Sequence, residues 1–183
     1  SPSGPIGPDT NDTVERFRSL DGVGVPLGDA QVIYVDRAAD AGGDGSEDNP
    51  FDTLSAGLEA AGDRASTIVM APGIYSGPVT ARASLAMIGA GTETTIIDAS
   101  AEEPVVTAQS LPESTLTVGW LTLRGGRTGL LVEGVREVNG YNLSITGAAQ
   151  RAMALTGVNT AAFLRTEVVG DTESGRTLPL VTA

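Results

Sequence analysis

Apolar and polar residues alternate along the second half of the chain in runs that each end on a glycine. Leu116–Arg124, Val138–Thr146 and the more degenerate Ala161–Val169 lead into Gly125, Gly147 and Gly170, at steps of 22 and 23 residues. A second short apolar run follows each glycine: Gly129–Val132, Ala152–Leu155 and Thr177–Val181, with Pro104–Ala108 as an earlier copy. Period-two alternation puts successive side chains on opposite faces of a strand, so the unit is β. A fixed period of about twenty residues or more marks a solenoid, in which one coil buries its apolar side only when another stacks on it. Registered on the glycines, Leu123, Ile145 and Val168 form one inward row and Leu121, Leu143 and Thr166 another. Trp120, Asn142 and Arg165 form an outward row on a flat sheet, and Val105, Leu130, Met153 and Leu178 a further interior row.

The first half prepares this stack. Residues 1–12 hold three Pro and two Gly and read as an extended lead-in; Thr13–Leu20 allows a short helical turn with Val14, Phe17 and Leu20 on one side. Gln31–Val35 is β-branched and aromatic, a strand by composition, and Asp36–Asn49 is a polar, Gly-rich loop. Beyond it, Asp52 or Thr53 can cap a helix, Gly62 can end it, and Leu54, Leu58 and Ala61 make one apolar stripe. A single helix around 52–61 ahead of a solenoid covers the open first coil. The chain thus divides into a lead-in with an acidic loop (1–30), a strand, loop and helix segment (31–65), and about five coils (66–183).

Apolar residues make up 40% of the chain but aromatics only 4%, which suits a thin core of small, branched side chains repeated in layers. The net charge of −12 is concentrated in residues 1–63, which carry −10. So acidic a chain repels phosphate backbones, which argues against a nucleic-acid partner. No apolar run approaches a membrane span. Cysteine is absent, which excludes disulfides and thiolate sites, and so are His and Lys, the usual general bases.

Several segments together resemble the right-handed parallel β-helix proteins of the pectin-lyase-like superfamily. They are Tyr34–Asp36, Asp44-Gly45, Asn49–Leu54, Thr67–Tyr75, Met87–Gly91 and Thr95–Asp98. The resemblance covers roughly residues 31–170 and is similar in order to secreted bacterial members, which open with a strand, an Asp/Gly loop, a capping helix and a Val-x-Pro-Gly-x-Tyr turn. It implies an all-β fold, a right-handed parallel β-helix of about five coils with an N-terminal capping helix. It implies a secreted or cell-surface location in a bacterium, with a leader removed. It says little of activity, because the superfamily spans lyases, hydrolases, epimerases, tailspikes and adhesins.

Lyases of that superfamily use an Arg or Lys base with Asp/Glu-held Ca²⁺, and its hydrolases use clustered Asp pairs. The coil region offers only Asp98 and Asp171 as aspartates, about three coils apart, so no catalytic residue is assigned. Calcium is the one cofactor the residues suggest: Asp36, Asp40, Asp44 and Asp48 lie on a Gly-rich loop, and Ca²⁺ takes six to eight oxygens in irregular geometry. The alternative is a solvated loop whose carboxylates serve turns and the helix cap. Trp120 beside Asn142 and Arg165 can stack a sugar ring and hydrogen-bond its hydroxyls; alternatively a loop or the N-terminal segment covers it. Arg124, Arg127, Arg136 and Arg151 are expected to pair with Glu133 and Glu137.

The expectation is a non-catalytic extracellular or cell-surface β-helix module acting in structure, adhesion or assembly. Alternatives are a carbohydrate-binding domain on the Trp120 row or a truncated polysaccharide lyase or hydrolase. At the C-terminal end, Leu178 and Leu180 form an expected assembly edge for another protein chain or a neighbouring copy, and polysaccharide is the further candidate partner.

Overall fold

The strand runs ahead of each glycine form because apolar residues at alternate positions mostly meet an apolar partner one repeat later, as Leu116 meets Val138, Leu121 meets Leu143 and Leu123 meets Ile145. In the computed structural model, which describes residues 30–169 and 181–182, every strand pairing is parallel. The turn expected within Thr13–Leu20, and Gly170, Leu178 and Leu180, lie outside the described residues.

Strand β1 (Gln31–Val35) precedes helix α1 (Leu54–Ala61). The first coil is β2 (Ser66–Met70), β3 (Gly73–Ser76) and β4 (Val79–Ala81). The second is β5 (Leu85–Ile88), β6 (Thr95–Ala99) and the start of β7 (Val106–Gly125). β7 bends through two corners and also supplies two sides of the third coil; β8 (Thr128–Thr146) completes that coil and begins the fourth. β9 (Arg151–Thr156) closes the fourth, and β10 (Thr160–Leu164), β11 (Glu167–Val169) and β12 (Val181–Thr182) make the fifth. The fold is a parallel β-solenoid of about five turns with three strands per turn. Its three sides are sheet A (β1, β2, β5, the middles of β7 and β8, β10), sheet B (β3, β6, the ends of β7 and β8, β11) and sheet C (β4, the starts of β7 and β8, β9, β12).

The inward rows stack as the glycine register predicts: Leu123 faces Ile145 and Ile145 faces Val168, and Leu121 faces Leu143. One row shifts by a residue. Val106, not Val105, pairs with Leu130, and Leu130 with Met153. Val105 sits at the preceding corner, where its amide donates to the Thr128 carbonyl at 2.8 Å, and it is equally buried. Two adjacent apolar residues, both buried, leave alternation unable to choose between them.

The first sheet edge and the core beside it are closed by the segment between β1 and β2. The loop before α1 pairs with β1: Tyr34 donates to Gly45 O at 2.9 Å, Phe51 to Tyr34 O at 3.0 Å and Asp36 to Phe51 O at 2.8 Å. Backbone groups of an edge strand are thereby satisfied within the chain. Thr53 caps α1, its Oγ1 accepting from the Ala56 amide at 3.3 Å, and Gly62 (φ 55°) ends it with its amide on Leu58 O. Leu54 and Ala61 are buried, and Gly57 lets the helix approach Ile33, Val35 and Ile68 closely. No helix among the described residues is long and apolar enough to cross a membrane.

Candidate functional site

Corners decide what the outer surface of this solenoid can present. Three left-handed rows run along the stack: Ser110, Gly134 and Gly157 (φ 57°, 62° and 61°) between sheets C and A; Trp120, Asn142 and Arg165 (φ 51°, 47° and 51°) between A and B; and Gly125 with Gly147 (φ 74° and 65°) between B and C. A single left-handed residue turns a strand sharply while the pairing resumes on the next side. Glycine does this freely and Asn at modest cost; a bulky L-residue is held there only by its surroundings. The Ser110 row was legible only in part: Gly134 and Gly157 repeat at the same 23-residue step as Gly147 and Gly170, but they do not close an alternating run, and Ser110 in the coil before is unremarkable in sequence.

Trp120, Asn142 and Arg165 therefore do share one register, as expected, but not on a flat sheet. They project from the A–B corner, because the intervening residue between Gly119↔Tyr141 and Leu121↔Leu143 pairs turns left-handed. The Trp120 indole stacks on Tyr141 of the next coil, with centroids 6.1 Å apart and planes at 23°. Gly119 makes room: a Cβ there would lie 2.9 Å from the Tyr141 carbonyl oxygen. Trp120 and Asn142 are half-buried and Arg165 is exposed. Burial first, then the Glu137 carboxylate, pushes the Tyr141 phenol above its ordinary range. One indole face is thus engaged within the protein, leaving a narrower aromatic surface than an exposed Trp offers.

The acidic loop is arranged for turns. Asp36 accepts the Ala38 amide at 2.8 Å and Asp44 the Ser46 amide at 2.9 Å. Hydrogen bonds from Ser46, side chain and then backbone, hold the Asp44 carboxyl below its usual range. Among the described residues no three Asp or Glu side chains gather to hold a metal ion, so Asp36, Asp40, Asp44 and Asp48 are not brought together.

Arg124 and Arg136 find different partners from those expected. Arg124 pairs with Asp98 at 2.8 Å, one coil away in the same register, and Arg136 donates to Thr115 Oγ1 at 3.2 Å. Glu133 accepts from Gln109 and Glu137 from Asn139. Three of these pairs, Arg124–Asp98, Arg136–Thr115 and Gln109–Glu133, join side chains about a coil apart, as cross-strand neighbours in a parallel ladder allow; Asn139 and Glu137 lie two apart on one strand.

A groove of about 230 Å³ lies between the end of α1 and β4, lined by Leu58, Glu59, Arg64, Thr80, Arg82 and Ser84 among others. Nothing in the spacing of those residues predicted it; helix end and first coil are joined only by the fold. The chain matches no protein-family model, and no curated protein or solved structure shows significant similarity to it.

Proposed function

We propose that this chain is a non-catalytic module of a secreted or cell-surface bacterial protein, akin to the pectin-lyase-like β-helices, acting in structure, adhesion or assembly through the fifth-coil end of its solenoid. The supporting observation is the asymmetry of the two ends. At the β1 end, a paired loop and α1 cover the strand edge and core. Among the described residues, the interior row Ile68, Met87, Val118, Gly140 ends at the fifth coil on Phe163, and the row Ile97, Leu123, Ile145 ends on Val168; both terminal residues are only partly buried, and Leu164 and Val169 beside them are 54% and 40% exposed. Partly open core rows beside exposed large apolar side chains are what a docking end presents.

The test is sedimentation velocity across a concentration range on the wild type and on Leu164→Lys. The reading expects self-association, or capture of a flanking segment of the parent protein, that the substitution weakens. A strict monomer that binds no flanking segment would refute it. A second reading, polysaccharide binding, is favoured by the alignment of Trp120, Asn142 and Arg165 along one corner. It expects retention on immobilised acidic polysaccharide that Trp120→Ala abolishes, without new reducing or unsaturated ends.

A further inference from the structure

The outer faces of the three sheets are not alike. On sheet C, Thr80, Gln109, Glu133 and Thr156 are exposed, and on sheet B Ile74 is 53% exposed. This is what the outside of a solenoid shows to water. On sheet A the core takes Ile33, Ile68, Met87 and Val118, so their strand neighbours point outward. Yet Thr67 is 1% exposed, Val69 3%, Ile88 1%, Thr117 2%, Asn139 3% and Tyr141 6%. Val69, Ile88 and Tyr141 are buried without belonging to the core cluster. Together they form an apolar strip, with the Trp120 ring leaning over it from the corner. Residues of this exposure class on an outer face require a cover.

We propose that the chain's own residues 14–27 dock on this strip as a strap across sheet A. Three arguments single out that segment. It enters through β1, the first strand of the same sheet. It is long enough: four rungs at about 4.8 Å are some 19 Å, and fourteen extended residues reach about 46 Å. It also carries the apolar side chains the strip would bury, among them Val14, Phe17, Leu20, Val25 and Leu27. Residues 170–180 are a poorer candidate, since they are tethered at both ends by β11 on sheet B and β12 on sheet C, whose shared corner is opposite sheet A. The strap is independent of the assembly reading, which concerns the fifth-coil end. It does compete with the polysaccharide reading, because a seated strap and a sugar ring would share Trp120.

The chain suits a direct test, having one Trp and no Lys, so trypsin can cut only after Arg, and the first two sites are Arg16 and Arg18. In the unaltered protein, cleavage after Arg16 and Arg18 is expected on the order of 100-fold slower than in a synthetic peptide of residues 10–29. Phe17→Asp should raise iodide quenching of Trp120 emission several-fold, with far-ultraviolet circular dichroism unchanged. Cleavage at the free-peptide rate overturns the proposal. So does slow cleavage combined with unchanged quenching in Phe17→Asp, which would place the segment elsewhere. Protection that grows with protein concentration would replace the strap by a second copy. Should Phe17→Asp fail to fold, the quenching change on adding the 10–29 peptide to protein already cut after Arg18 decides: no blue shift or protection overturns the proposal.

Discussion

A Cβ at Gly125 would sit 2.5 Å from the Ala99 carbonyl oxygen, on a backbone with φ of 74°. Strain and clash act on the same atom, and the obstacle is backbone, which cannot swing aside. Gly125→Ala should therefore cost about 2 kcal/mol or more, read as a lower urea midpoint with unchanged slope. Tyr75 is the other residue whose chemistry is fixed by one coil. Its side chain is 1% exposed; its hydroxyl donates towards Ala71 O (2.8 Å) and Val35 O (3.3 Å) and accepts from the Arg37 amide (3.2 Å). Burial, opposed by that amide, pushes the phenol up to about 12 from an ordinary 10.0. Between those values the unfolded chain has released the proton and the folded protein has not. The contribution is complete below pH 10 and is lost as pH rises towards 12. Tyr75→Phe should lower stability at neutral pH by about 1–3 kcal/mol and flatten the alkaline decline relative to wild type, measured by urea unfolding from pH 8 to 12. An equally steep decline in both proteins would place the alkaline sensitivity elsewhere, with Tyr141 the next candidate.

Local elements were the most legible part of the sequence. Thr53, Leu54, Leu58, Ala61 and Gly62 carry cap, stripe and stop within ten residues, and the helix forms there. What escaped is the role of Gly57, since its reason lies outside the helix: a Cβ would come 2.8 Å from Val35 Cγ2. Gly57→Val should lift α1 off β1, costing about 1–3 kcal/mol despite a gain in hydrophobicity, with the loss visible as faster amide exchange in β1. The acidic loop shows the same limit in reverse. Composition left a cation site and a turn-forming loop both open; the backbone of Gly45 and Phe51 pairs with β1, and the carboxylates of Asp36 and Asp44 shape its turns. Hydrogen bonds made by backbone atoms leave no mark on residue type, so edge protection could not be read from the sequence. The corner rows fall between the two cases. The period aligned Trp120, Asn142 and Arg165 correctly, but period-two alternation carries no information on where a strand bends.

At the scale of the whole molecule, a solenoid's stability is a sum over coils and their interfaces, so exposure of one end translates into a gradient of local opening. Coils two to four have a neighbour on both sides, and their interior residues Val106, Val118, Leu121, Leu123 and Val132 are 0% exposed. Coil five has a described neighbour on one side only. Among the described residues its Thr166 hydroxyl is buried without a hydrogen-bond partner, and Phe163 fills the space that Gly140 leaves free. Amides of β10 and β11 should accordingly exchange fastest of the sheet amides and those of β7 and β8 slowest, followed by native-state hydrogen exchange. Thr166→Val, which keeps the shape and removes an unsatisfied hydroxyl, should slow exchange in β11 by about fivefold, on the order of 1 kcal/mol. If the fifth coil docks against another copy, protection of β10 should rise with protein concentration while that of β2 stays constant. Uniform protection from β2 to β11 at every concentration would mean that the fifth-coil end is already covered within the monomer, and the assembly reading would fall with it.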